Sequence, residues 1–130
     1  MQNPSSKEFN VAILGATGMV GRQFIKILEE RNFPVKKLKL LASARSAGDK
    51  LSFKGEEIVV EEAVASSFED VDIALFSAGS SVSRHFAPIA VKQGATVIDN
   101  SSAFRMEEGI PLVVPEINPE DLRKHSGIIA

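Results

Sequence analysis

Three evenly spaced glycines, Gly15-Ala-Thr-Gly18-Met-Val-Gly21, lie between an apolar run and a helical pattern, and this constrains the fold more than any other feature. The preceding run, Val11-Ala-Ile-Leu14, reads as a buried strand. Beyond the loop, Val20, Phe24, Ile27 and Leu28 recur at helical spacing, with Arg22, Gln23, Lys26, Glu29 and Glu30 on the other face. Asn32 and Pro34 stop that helix. A tight strand-to-helix turn needs a residue free to take positive φ. A pyrophosphate needs backbone N–H groups with no side chain in the way, and a helix start adds partial positive charge. Glycine meets both demands, and Gly21, one turn into the helix, lets helix and strand pack closely. The spacing is GxxGxxG rather than GxGxxG, so the turn differs in detail and leaves Thr17 placed to cap the helix or touch a phosphate. Glycines also end strands for structural reasons alone. Here the flanking strand and helix supply the context that a dinucleotide-binding loop requires.

The rest of the chain continues in the same style. Leu38–Ala42, Ile73–Phe76 and Ala95–Ile98 are short, continuous apolar runs, as in a parallel sheet covered on both faces. Leu51 to Val60 reads instead as two short strands turning at Lys54-Gly55, an antiparallel insertion. Ser80 and Ser81 can cap a second helix that ends at Gly94, with Val82, Phe86, Ile89 and Ala90 as its apolar stripe. Pro88 within that pattern predicts a kink or a short broken start. Asn118-Pro-Glu-Asp121 is a third helix start, and Gly127-Ile-Ile-Ala130 opens a further apolar run. The order predicts a Rossmann-like, doubly wound α/β domain over 10–130, its sheet mainly parallel with a small antiparallel insertion, after a disordered or extended segment at 1–9.

Which dinucleotide is written at the end of the second strand. An NAD site there carries an Asp or Glu for the ribose 2′-hydroxyl. This chain has Ala42-Ser43-Ala44-Arg45-Ser46-Ala47-Gly48 instead. A guanidinium between two hydroxyls suits a 2′-phosphate through charge-assisted hydrogen bonds, so NADP is favoured over a solvated loop arginine. Two further loops follow strands at the ligand-binding end. Ser77-Ala78-Gly79 has small side chains that permit close approach of a cofactor. Asp99-Asn-Ser-Ser-Ala-Phe-Arg105 carries one cation, which either holds an anionic substrate group or pairs with Glu107, Glu108 or Glu116.

Composition narrows the chemistry. The 130 residues contain no cysteine, which excludes disulfides, a thiolate metal site and a cysteine nucleophile among them. His85 and His125 read as separate surface residues, and no metal is expected. A net charge of -2 makes no case for nucleic acid or an anionic membrane. No run approaches the roughly 18 apolar residues of a membrane span, and the polar start, Met1 to Glu8, lacks the apolar stretch of a secretory signal. A cytoplasmic location is expected.

Five blocks in order carry a resemblance: Gly15 to Gly21, Leu41 to Gly48, Phe76 to Gly79, Val97 to Met106, and Pro111-Leu-Val-Val-Pro-Glu-Ile-Asn118. Together they resemble the N-terminal, NADP-binding domain of the aspartate-β-semialdehyde dehydrogenases. The resemblance implies a parent oxidoreductase, a phosphorylating, NADP-dependent aldehyde dehydrogenase of lysine, threonine and methionine biosynthesis. That enzyme interconverts aspartyl 4-phosphate and NADPH with aspartate semialdehyde, phosphate and NADP. Carried over by position, it puts the pyrophosphate at Thr17, Gly18, Met19 and Val20, beside Gly15 and Gly21, and the 2′-phosphate at Arg45 and Ser46, with Ser43 among the cofactor-binding residues beside them. Nicotinamide-side contacts fall at Ser77, Ala78 and Gly79. Arg105 would bind the acyl phosphate or free phosphate, with Asn100 and Ser101 shaping that pocket. The family's cysteine nucleophile follows a strand matching Ile128-Ile-Ala130, so this chain, lacking the catalytic and dimerisation domain, is expected to bind cofactor without turnover. The parent is expected to be a homo-oligomer with a small-molecule substrate and no nucleic-acid or membrane partner. An N-acetyl-glutamyl-phosphate reductase is the nearest alternative. A short-chain reductase or epimerase, or a non-catalytic NADP-sensing or interaction module, are the others.

Overall fold

The structure, a computed structural model, describes residues 8–99 and 128–129. Strand β1 (Phe9–Leu14) leads through helix α1 (Met19–Glu30) to β2 (Val35–Ala42). A hairpin, β3 (Lys50–Phe53) and β4 (Glu56–Val59), and a two-residue strand β5 (Glu61–Glu62) follow. After a 3-10 turn at Ala65–Phe68 come β6 (Ile73–Phe76), α2 (Ser80–Lys92), β7 (Thr96–Asp99) and β8 (Ile128–Ile129). The main sheet runs β5-β2-β1-β6-β7-β8 with every neighbour parallel. From β1 the chain crosses by α1 to one side, and from β6 by α2 to the other. The strand order therefore reverses between β1 and β6, which is the doubly wound pattern expected.

Alternation along the central strands divides the core in two. Val11, Ile13, Ile73 and Leu75 face one layer, with Ile25 and Leu28 of α1 and Phe53 of the hairpin. Ala12, Leu14, Ala74 and Phe76 face the other, with Ala87 and Ala90 of α2. Small residues dominate the α2 side, and Phe68 fills the space they leave. It is fully buried, with ring centroids 5.8 Å from Phe76 and 5.7 Å from Phe86.

Both helices end by the same device. Around α1, Asn32 donates to Glu29 O and Phe33 to Leu28 O; around α2, Gly94 donates to Val91 O and Ala95 to Ala90 O. The turning residue is left-handed in each, Asn32 at φ 51° and Gly94 at φ 97°. Lys54 and Gly55, at φ 50° and 82°, give the hairpin a two-residue turn with positive φ at both positions, as the strands' twist prefers.

Three expectations need correction. The inward face of α1 is Gly21, Ile25 and Leu28, with Val20, Phe24 and Ile27 only half-buried. On α2 the buried line is Ser83, Ala87 and Ala90, while Val82 is exposed. In both cases small residues, Gly21 on α1 and Ser83 and Ala87 on α2, hold buried positions that a hydrophobic stripe passes over. Of the kink or broken start expected at Pro88, the broken start is excluded, since α2 runs continuously from Ser80 to Lys92. The third helix start at Asn118 lies outside the described residues, and Ile128–Ile129 forms the expected strand against β7.

Candidate functional site

The carboxyl ends of β1 and β6, side by side, form the crevice at which open α/β sheets bind ligands. Each strand runs into a helix through glycine. Gly18 is the N-cap of α1 (φ −76°, ψ 172°) and Gly79 that of α2 (φ −65°, ψ 164°), and neither helix has a side-chain cap. This corrects the expectation that Ser80 or Ser81 caps α2 and the option that Thr17 caps α1. A hydroxyl cap would occupy a first-turn amide. A glycine cap leaves those donors, and the positive ends of both helix dipoles, to whatever enters the crevice.

The glycines of the first loop do different work. Gly15 has φ 84°, and an added Cβ there would lie 2.8 Å from Ser77 Oγ. At Gly21 a Cβ would lie 2.2 Å from Gly15 O, so α1 rests directly on the loop backbone. Gly18 is under no such demand: φ is ordinary, and a Cβ would meet only Gly15 O, at 3.5 Å. The fold does not require glycine at 18. A dinucleotide phosphate lying against the loop does, and in this respect the residues fit the group. Met19 beside it is 82% exposed, and Val20 is half-buried in the first turn.

Hydrogen bonds lock the crevice walls together. Gly15 and Ala16 N–H both donate to Leu41 O of β2, at 2.9 and 3.1 Å. Ser77 donates its N–H to Leu14 O, and its hydroxyl lies 3.0 Å from both Leu14 O and Gly15 O. Its side chain therefore joins β6 to the loop. Ala78 is half-buried and Gly79 exposed beside it. Beyond β2, Ser46 and Ala47 N–H close a tight turn on Ser43 O, leaving Ser43 and Arg45 exposed and Ser46 half-buried. Thr17 Oγ1 donates to Ser46 Oγ at 3.2 Å, linking this turn to the glycine loop. Arg45 has no ion-pair or hydrogen-bond partner among the described residues, as an anion-binding guanidinium requires.

Two features escaped the sequence. Arg22 Nε donates to Thr17 O at 3.0 Å, holding the loop from the helix side. Asp99, at the end of β7 and 1% exposed, accepts from Ser83 Oγ at 3.2 Å. A serine in the inward line of α2 and an acid ending a buried strand were the available signal. Asn100, Ser101 and Arg105 lie outside the described residues. Among the described residues no group of His, Asp and Glu could hold a metal, and His85 is exposed, edge-on to Phe86. None of the described helices is long and apolar enough to cross a membrane. The open groove among Asn10, Lys37, Asp72 and Gln93 lies at the strands' amino ends, where α2 finishes, so its dipole is the wrong sign for a phosphate.

Comparison with known proteins identifies the family. An aspartate-semialdehyde dehydrogenase of Bacillus subtilis is 63% identical over 93% of this chain and 35% of its own length. The crystal structure of aspartate semialdehyde dehydrogenase II from Vibrio cholerae, complexed with ASA, superimposes with a TM-score of 0.86 at 49% identity, over 95% of this chain and 41% of that one. The Candida albicans aspartate semialdehyde dehydrogenase with NADP follows at a TM-score of 0.69 and 32% identity, covering 88% of this chain and 36% of that one. The chain thus spans little more than a third of the length of the curated relatives it matches. Residues 10–125 match the family described as semialdehyde dehydrogenase, NAD binding domain, and the chain belongs to that family.

Proposed function

We propose that this chain holds NADPH in the crevice between β1 and β6, as the cofactor-binding domain (10–130) of a cytoplasmic aspartate-semialdehyde dehydrogenase. The observation that carries the reading is the pair of glycine-capped helix starts at the reversal of strand order, beside an exposed arginine, Arg45, that has no partner among the described residues. In the parent reaction NADPH supplies hydride to the carbonyl carbon derived from L-aspartyl 4-phosphate. This chain's part is binding and orientation. Amides at Thr17 to Val20 receive the pyrophosphate against Gly15, Gly18 and Gly21. Arg45, with the hydroxyls of Ser43 and Ser46, receives the 2′-phosphate. Ser77, Ala78 and Gly79 back the nicotinamide side, and Arg105, with Asn100 and Ser101, receives the substrate phosphate.

Homo-oligomeric assembly of the parent rests on the resemblance alone. The aspartate-semialdehyde dehydrogenase relatives favour this reading over an N-acetyl-glutamyl-phosphate reductase.

The test is titration with NADPH and NADH, followed by the reduced nicotinamide's own fluorescence, which a chain without Trp or Tyr does not obscure. Saturable binding that favours NADPH is expected. Arg45→Ala removes a charge-assisted contact and should weaken NADPH binding on the order of 10- to 100-fold, leaving NADH little changed. Equal binding of both nucleotides by the unaltered chain would refute the assignment of Arg45.

A further inference from the structure

We infer that Thr17 is a specificity-determining residue, setting the preference for NADPH over NADH through its bond to Ser46. The inference rests on the cofactor reading above and adds to it a residue whose effect is indirect. Thr17 Oγ1 donates to Ser46 Oγ across 29 residues of sequence, joining the loop after β1 to the turn after β2. A serine hydroxyl has one proton. When its oxygen accepts from Thr17, that proton is left for another partner, and a hydroxyl that already accepts is a better donor. The two nucleotides differ in what they can do with it. A 2′-phosphate only accepts hydrogen bonds, so it gains from a Ser46 turned to donate. The 2′-hydroxyl of NADH both donates and accepts, and adapts to either orientation.

The surroundings confine the effect to this one bond. The backbone of the glycine loop is held without it, by Gly15 and Ala16 on Leu41 O, by Gly18 N–H on Gly15 O, and by Arg22 on Thr17 O. The turn carrying Ser46 is closed independently on Ser43 O, and Gly48 N–H ties its end to Val60 O. Removing the Thr17 hydroxyl therefore frees the Ser46 rotor while both backbones keep their bonds. Valine preserves the branched shape and χ1 restriction of threonine and deletes only the donor.

The experiment is a double-mutant cycle on this chain. NADPH and NADH are titrated into the unaltered chain, Thr17→Val, Thr17→Ser, Ser46→Ala and Thr17→Val/Ser46→Ala, with thermal unfolding checking that each variant is folded. Thr17→Val should weaken NADPH binding roughly threefold to tenfold, the worth of one hydrogen bond, and change NADH by less than about twofold. Thr17→Ser, which restores the donor, should recover most of the preference. In the Ser46→Ala background Thr17→Val should add almost nothing, since the oxygen it acts through is gone. Equal losses for both nucleotides would place Thr17 on the shared pyrophosphate and overturn the inference, as would full additivity in the double variant. A preference that survives Thr17→Val intact overturns this inference alone. An unaltered chain that binds both nucleotides without preference overturns the 2′-phosphate assignment of Arg45 and this inference with it, whereas one that binds neither overturns the cofactor reading itself.

Discussion

Replacing either of two glycines by alanine adds the same methyl group, yet the structure assigns the two changes opposite signatures. At Gly21 the new Cβ lies 2.2 Å from Gly15 O, 2.7 Å from Ala16 Cα and 2.9 Å from Ala16 C. All three are backbone atoms, so no rotamer change relieves the clash. Ordinary contact requires α1 to withdraw by about 1 Å, a gap that forfeits a quarter to a half of the dispersion well for each contact across it. Ile25 and Leu28, on the same face as Gly21, would lose packing against the sheet. Overpacking costs ~1–3 kcal/mol, and the backbone setting argues for the upper half of that range. Alanine returns roughly 1 kcal/mol in helix propensity, leaving a net loss of about 1–2 kcal/mol, or roughly 3–10 °C in Tm for a chain of this size. In an uncrowded helix the same change would stabilise, so the sign alone is diagnostic.

At Gly18, by contrast, the Cβ has 3.5 Å to its nearest neighbour, and the change costs at most ~1 kcal/mol through a poorer N-cap. Its methyl would instead stand in the phosphate cradle and reduce NADPH affinity at least tenfold, equivalent to about 1.4 kcal/mol. Urea denaturation followed by far-ultraviolet circular dichroism gives the stabilities, and nicotinamide fluorescence the affinities. A Gly21→Ala chain as stable as the original would refute the packing argument. Unimpaired NADPH binding by Gly18→Ala would refute the cradle.

Two further outcomes follow from the core and from a helix end. Phe68 is fully enclosed between Phe76 and Phe86, so Phe68→Ala should lower stability by ~3–5 kcal/mol; a urea midpoint within experimental error of the original would show that Phe68 does not fill the α2-side core. Asn32 turns the chain at φ 51°, so Asn32→Ala should cost about 1 kcal/mol while Asn32→Gly is neutral or slightly stabilising. The reverse order of midpoints would contradict the left-handed assignment.

Much of this architecture could be read from the chain because its signals are local. Ile73–Phe76 occupies the strand expected of it, and Lys54-Gly55 turns the hairpin, because a continuous apolar run and a two-residue turn are decided by their own residues. Asn32 and Gly94 mark helix ends for the same reason. The helix faces were harder. Gly21 and Ser83 are buried on the inward faces but carry no hydrophobic weight, so a stripe of larger side chains points some way round from the true face. The caps misled for a related reason: Ser80 and Ser81 have the chemistry to cap, yet α2 starts one residue earlier, on Gly79. Arg45 stood out because it follows the second strand, where the usual acid is missing. Its bond-linked neighbour pair, Thr17 and Ser46, is a contact between distant residues that no local pattern announces, and the same holds for Ser83 with Asp99.

The Ser77 hydroxyl reaches back 62 residues to Gly15. One wall of the crevice comes from the β1–α1–β2 half of the chain and the other from the β6–α2–β7 half, with the hairpin between them in sequence. Bringing β6 beside β1 closes a long loop, an entropic cost that short-range pairings do not carry. The ligand's place exists only when the two halves have met. A nucleotide held there is therefore linked to the folding equilibrium of the entire sheet, and adds stability that grows as RT ln(1 + [L]/Kd) for every element at once rather than for the loops it touches.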